Sequence, residues 1–504
     1  VEGVEFKGLL NINTVANGTY EPKKQIFPVT VTELSLQKGY FKTEEYPIPL
    51  NNIDILTRVT SSKGSFKDLK IEILPISFNV SQEPFMLKAN LEDFNNLRYD
   101  IKSKGNIDLA EIYKIFGIND YGLAGKIKTN LSLKGKQSDA TNGLYHKLDN
   151  KGLLEIHDIQ LSSDLFPKPF LINTGRFSFF REKMLFKNFS AKYGESTFNA
   201  EGHLVNVINY IAGASESLDG SFKLNANKID INEFMAFADT QDDTQASNAT
   251  STGVVLIPED INIAFSAAVK NVKYDDLYID NFKGEAETKN GKLLLKNTGF
   301  DLIGTKVNMN ASYAPSSPRR VQFTYDIQAK DFDIQRAYKE IPLFREMASA
   351  AKDAHGIVSL NYQLAGNLDE NMSPIMPSLK GQGVLSLNKI KFKGFKLMNS
   401  IANRTSSSEL KDADVSQVDI KTSIANNIMT IERTRMRIAG FRPRFEGQVS
   451  LDGKMNIGFR LGLPPLGIIG IPIKITGTQE NPVIKIGKQS KEDDLEETTE
   501  NQNN

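Results

Sequence analysis

The chain has 504 residues, more than one compact core of ordinary size accommodates. Lysine plus arginine number 61 and aspartate plus glutamate 61, so the formal net charge is zero and lacks the basic excess of a dedicated nucleic-acid binder. Cysteine is absent, which excludes a disulfide frame and thiolate metal sites, and a hydrophobic content of 40% excludes a wholly disordered chain. The first residue is Val1 and no charged-then-apolar leader follows, so the expectation is a processed or truncated chain whose signal or anchor lies upstream. The longest uncharged apolar stretch, Leu461 to Ile473, is too short to span a bilayer as a helix and carries three prolines.

In chain order, weak alternation over Val4 to Tyr20 predicts one or two strands. A meander follows, with strands at Val29–Leu36, Gly39–Thr43, Ile53–Val59, Leu69–Leu74, Ile76–Val80 and Phe85–Leu91, separated by turn residues. Then comes a different unit: a strand from Leu97, a short helix over Ala110–Phe116 with Asp108 as its cap, and a strand over Leu123–Lys134. Gly135 to Asn150 is polar and reads as a hairpin loop. The meander recurs through Leu153–Leu161, Phe170–Ile172, Gly175–Phe179, Met184–Ala191 and Thr197–Leu204. The strand-then-helix unit recurs at Ser221–Ala226 with a helix over Asn232–Ala238 behind Asp230, and Asp239 to Gly253 reads as a flexible loop. A third meander runs from Ile261 to Tyr313, and its Lys292–Asn297 echoes Lys183–Asn188. Asp333 then opens a longer helix through about Ala351. The fourth meander, from Gly383 to Leu451, carries a helical insert near Met398–Asn403, and Lys488 to Asn504 reads as a disordered tail.

Four strands alternate without a break. Phe85, Leu87, Ala89 and Leu91 share one face, as do Phe198, Ala200, Gly202 and Leu204, then Val307, Met309, Ala311 and Tyr313, then Phe445, Gly447, Val449 and Leu451. Their first residues lie 113, 109 and 138 residues apart, so the chain reads as a repeat protein with large β-rich units. The expected divisions are β-groove repeats at residues 1–96, 97–217, 218–320 and 321–487, then the tail 488–504. Each one-sided strand needs a cover for its apolar face. Either the sheet folds on itself as a sandwich or β-helix, or it curls into a half-pipe whose wall accepts a foreign apolar ligand.

Residues Ile471 to Thr478, followed by Asn481-Pro482-Val483-Ile484-Lys485, resemble the carboxy-terminal signature of the AsmA family, which includes TamB-like proteins. Phe332-Asp333-Ile334-Gln335 is similar to that family's repeats, and Asp412 to Val415 with Phe445-Glu446-Gly447 resembles its penultimate segment. The resemblance implies a mainly β fold: an elongated, twisted, repeating antiparallel sheet forming a groove, with short helices at repeat junctions. It also implies a periplasmic lipid-conducting protein of the bacterial envelope, held in the inner membrane by an anchor upstream of this chain. Such a protein moves phospholipid between inner and outer membranes or aids outer-membrane biogenesis, with envelope proteins as possible partners, no cofactor, no metal and no enzymatic activity. The lipid-facing candidates are the four apolar sets named above, Tyr313 excepted. The alternative is a structural β-repeat scaffold acting through protein–protein contacts.

Other residue groups point to chemistry less directly. His146, His157, His203 and His355 are far apart and form no metal-like pair. Asp108, Asp230 and Asp333 recur at the same place and read as helix caps. Arg433, Arg435 and Arg437, with Arg442 and Arg444 beyond, form either a basic stripe for headgroups or a solvated face with acidic neighbours such as Glu432 and Glu446. Leu461 to Ile473 reads as a closing apolar strand pair that could also touch a membrane surface.

Overall fold

The computed structural model describes residues 4–21, 26–43, 49–80, 83–108, 125–161, 168–211, 217–235, 253–347, 351–352, 354–392, 399, 402–403, 406, 408, 414–438, 440–479, 481–489 and 494–499. The fold is mainly β, 70% strand and 9% helix, and its 25 strands belong to one sheet that does not close into a barrel. Every described pairing is antiparallel and joins strands adjacent in sequence, from Val4–Asn17 against Val29–Thr43 to Gly470–Thr478 against Pro482–Ile486. By contact the chain divides into two compact units. The first comprises residues 1–227, 258–266 and 288–290; the second comprises 228–257, 267–287 and 291–504.

Bulges fix the local shape. Each of the four alternating strands is preceded by a strand with a two-residue irregularity facing it: Ile73/Ile76, Phe186/Phe189, Leu295/Thr298 and Ile431/Thr434. The extra residues bend the strand and sharpen its twist. Two of these bulges fall at Lys187-Asn188 and Lys296-Asn297, the ends of the echoed sequences, and a third holds Leu74-Pro75, where a missing N–H costs no ladder bond. The predicted breaks at Leu74/Ile76, Leu36/Gly39 and Ile172/Gly175 are therefore corrected. They lie inside continuous strands, Lys70–Val80, Val29–Thr43 and Phe170–Phe180, because a bulge interrupts alternation as a turn does.

The capping aspartates behave as their chemistry requires. The Asp333 carboxylate accepts from Arg336 N at 2.8 Å and opens the helix Ile334–Glu340. Asp230 accepts from Asn232 N at 3.2 Å, above a single 3-10 turn, Ile231–Phe234, where a helix to Ala238 was expected. The helix expected after Asp108, the loop from 239 and half of the insert near 398–403 lie outside the described residues. The long helix expected behind Asp333 is two, Ile334–Glu340 and Pro342–Met347, split where Pro342 cannot donate to the ladder. The polar loop 135–150 holds a short helix, Gln137–Thr141, and a 3-10 turn, Tyr145–Lys147. Part of the tail, expected to be disordered, is placed: Leu495 N donates to Gln448 and Thr498 N to the Asn426 carbonyl.

The turn over residues 61–68 is held by one carboxylate. Asp68 accepts from Lys63 N at 2.6 Å, from Ser65 N and Oγ, and from the Ser61 and Ser62 hydroxyls. Burial alone would raise its pKa, but the bonds from Ser65, Lys63 and Ser61 outweigh it and hold the carboxyl well below the usual range. A depressed carboxylate contributes stability above its unfolded pKa and loses it only as pH falls through the folded value. The turn is therefore expected to keep its protection through pH 4. Asp68→Asn is expected to cost the turn about 1–2 kcal/mol, read as faster amide exchange at Lys63 and Ser65. Unchanged exchange there would refute this role.

Candidate functional site: the apolar face of the sheet

Residues directly opposite in antiparallel neighbours point to the same side, so the registers place the candidate residues in rows. In the first unit one row runs Leu10, Leu36, Ile55, Ile76, Leu87, Ser103, Leu131, Gly152, Phe179, Met184, Leu204 and Gly220, crossing twelve strands. Leu87 of the first alternating strand and Leu204 of the second thus share a line. Ser103, the one polar member, is satisfied by the Thr129 hydroxyl at 2.6 Å in the neighbouring row. A second row carries Ala89 between Ile73 and Ile101, and a third carries Leu91 opposite Tyr99. Farther along, Gly202 faces Phe186 and Phe222, Ala200 faces Phe189 and Leu224, and Phe198 faces Ala191 and Ala226. Phe85 lies beside Gly105, where a Cβ would come within 2.7 Å of its Cα.

The second unit repeats the arrangement. Ala311 and Val449 belong to one row with Leu295, Tyr325, Leu364, Gly381, Ile424, Met429 and Met455. Met309 and Gly447 belong to the next, through Ile327, Tyr362, Gly383, Thr422 and Ile431. Val307 pairs with Phe300 and Ala329, and Phe445 with Thr434 and Phe459. Leu451 sits just past its strand, in the hairpin turn, against the cluster of Tyr362, Leu364, Leu379 and Ile424. All fifteen candidates are buried or half-buried, whereas Lys88, Asn199, Glu201, Asn308 and Asn310 on the other side are exposed.

Cover differs between the units. In the second unit the helix Ile334–Glu340 buries Ile334 and Ala337 in a large cluster with Val307, Ala329, Phe332, Val358 and Ile390, and Phe344 of the next helix meets Phe332 edge-on at 6.0 Å. That end of the apolar face is sealed. A groove of about 690 Å³ lies instead on the outward side of these strands, lined by Asn310, Ser312, Thr324, Asp326, Gln363 and Gln382, whose positions alternate with the apolar row of Leu295, Ala311, Tyr325, Leu364, Gly381 and Ile424. This size falls within the roughly 300–1,000 Å³ of small-molecule sites. Burial raises the pKa of the Tyr325 phenol, with the Tyr362 phenol adding to it, so it is a neutral donor at physiological pH. Tyr362 is held by the Thr422 hydroxyl at 3.0 Å. In the first unit the buried clusters are small, such as Ile159, Ile172 and Ala191, and Leu87, Leu131, Leu154 and Phe186 remain half-buried.

The glycines on this face serve the backbone rather than leaving empty room. A Cβ on Gly202 would run into Ser221 O and come within 2.8 Å of the Phe222 ring, which already lies over it. That ring continues a run of aromatics from Phe177 to Phe186 at 4.5 Å and Phe186 to Phe222 at 4.9 Å.

Alternation nominated the four strands but passed over Tyr325, Tyr362 and Leu364, although Phe323-Tyr325-Ile327 and Leu360-Tyr362-Leu364 carry the same period. No family model, curated protein or solved structure matches the chain. Among the described residues no group of three His, Asp or Glu side chains is placed to hold a metal, and no helix is long and apolar enough to cross a membrane. The His203 imidazole has its pKa lowered by burial and by Lys183.

Proposed function

We propose that the chain is a lipid-binding and lipid-conducting protein of the bacterial envelope, of the kind the AsmA resemblance implies, and that acyl chains lie along the apolar face. The observation that supports this reading is the register. Apolar side chains follow one another strand after strand along single rows, in a sheet that forms no barrel. A row of this kind offers an acyl chain the same environment at each step. About 14 methylenes left in water cost roughly 11 kcal/mol at ~0.8 kcal/mol each, and a repeating wall removes most of that cost without one deep trap. Periplasmic placement, attachment to the inner membrane through an upstream segment, and envelope-protein partners belong to the same proposal. The competing scaffold reading is favoured by one specific feature, the sealed end of the second unit under the helix Ile334–Glu340.

Uptake of a fluorescent fatty acid by the purified protein separates the two. The groove reading expects saturable uptake that unlabelled phospholipid displaces. Absence of uptake, with protein mass spectra free of lipid before and after delipidation, would favour the scaffold.

A further inference from the structure

The hairpin between the strands Lys454–Gly462 and Gly470–Thr478 ends in an exposed apolar prong. Leu466, Ile468 and Ile469 are 60%, 77% and 74% exposed. The prong is shaped rather than frayed: Gly467 N donates to Leu463 O at 2.8 Å, and Leu463 N to Ile469 O at 2.8 Å. Arg460 grips it from the strand, donating to the carbonyls of Gly467 at 3.0 Å and Ile468 at 2.6 Å.

Beside the prong stands a row of like charge. Arg435 is directly opposite Arg444, and Arg444 is directly opposite Arg460, on the face away from the buried row Thr434, Phe445 and Phe459. Arg442 lies next to the prong, where a Cβ on Gly467 would come within 2.9 Å of its side chain. Like charges facing each other across strands are destabilising unless something neutralises them. Glu446 does not serve, because it is taken by Arg433 at 2.7 to 3.0 Å. Among the described residues Arg435, Arg442 and Arg444 have no acidic partner, and Glu432, exposed on the bulge, does not pair with them. The acidic tail at Asp494, Glu496 and Glu497 is anchored at Gln448 and Asn426, farther along the strands.

We infer that this end of the second unit docks on an anionic phospholipid surface, with Leu466, Ile468 and Ile469 inserted among the acyl chains and the arginines on the headgroup phosphates. Each half explains the other: the prong alone would be an aggregation liability, and the arginine row alone a repulsive one. The occupant is a bilayer rather than a free anion because three large aliphatic side chains accompany the charge. The chain's net charge is zero, so general attraction to an anionic surface cannot substitute for this patch.

The test is co-flotation of the full chain with vesicles of phosphatidylcholine alone or with phosphatidylglycerol. Wild type is expected to float with the anionic vesicles, to lose binding as salt rises, and to ignore the neutral ones. Arg442→Gln with Arg444→Gln is expected to weaken binding roughly fivefold for each arginine removed. Ile468→Ser with Ile469→Ser is expected to lose binding at least as far. All four positions are at the surface or half-buried, and unchanged melting would show the variants folded. Equal binding to both vesicles, no binding to either, or variants that float like wild type would each overturn the inference. Fatty-acid uptake in the same variants is expected to stay at the wild-type level, so this inference and the groove proposal can fail separately.

Discussion

Ala311→Trp is expected to reduce fatty-acid uptake by the second unit by about tenfold or more, equivalent to about 1.4 kcal/mol or more, with the sheet still folded. Ala311 lies on the apolar row between Leu295 and Tyr325, and its methyl is half-buried. An indole there would occupy space that an acyl chain needs, while its own burial would offset part of the strain. Gln328→Trp, at an exposed position on the neighbouring strand opposite Asn308, is the matched control and is expected to leave uptake unchanged. Equal loss in both would mean that added bulk perturbs the sheet generally. No loss in either would remove this apolar row from the binding site.

Gly447→Val is expected to produce the largest loss of stability, roughly 2–4 kcal/mol. At φ +149° the residue is in a region that side chains rarely adopt, and a Cβ would collide with Asn456 O and lie 2.8 Å from Ile457 Cα. Since the obstruction is backbone, no rotamer change relieves it. The cost should appear as lost amide protection in the strands Arg442–Ser450 and Lys454–Gly462, which pair through this point. A valine variant with wild-type protection would contradict the close backbone approach at Gly447.

These two substitutions also mark how far the sequence could be read. Period-two alternation located the four apolar strands and their faces, since direction alternates strictly in a regular strand. It failed wherever a bulge intervened. Met184, Phe186, Phe189 and Ala191 all meet the apolar rows, yet the step from 186 to 189 is odd, so simple alternation would send Phe189 to the opposite side. The echo between Lys183–Asn188 and Lys292–Asn297 was visible as a repeat, but its meaning as a bulge needed the register. The cap at Asp333 was legible from residue type, whereas the halt at Ile341 depended on giving Pro342 its full weight. Tyr325 and Leu364 escaped notice because they lie between the third and fourth meanders, and only the strand pairings show that they continue the same apolar row. The arginine row was unreadable in sequence, because Arg435, Arg444 and Arg460 become neighbours only through two strand pairings.

The sealed end under the helix Ile334–Glu340 bears on mechanism. Ala337 and Val358 there have no solvent exposure, so a ligand moving along the face would have to displace that helix or pass beside it. On the row through Ala311 and Leu364, Val449 and Met455 belong to that large cluster, whereas Tyr325, Leu364, Ile424 and Met429 belong to one built from the sheet itself and the segment Met376–Leu379.

Photocrosslinking tests the central claim most directly. A photoreactive residue placed singly at Leu87 or Leu364, on the apolar rows, is compared with one at Lys88 or Gln363, the adjacent outward positions, each in protein incubated with phospholipid vesicles. The groove reading requires lipid adducts at Leu87 and Leu364 and few at Lys88 and Gln363. Equal labelling on both faces, or none at the inner positions, would contradict it.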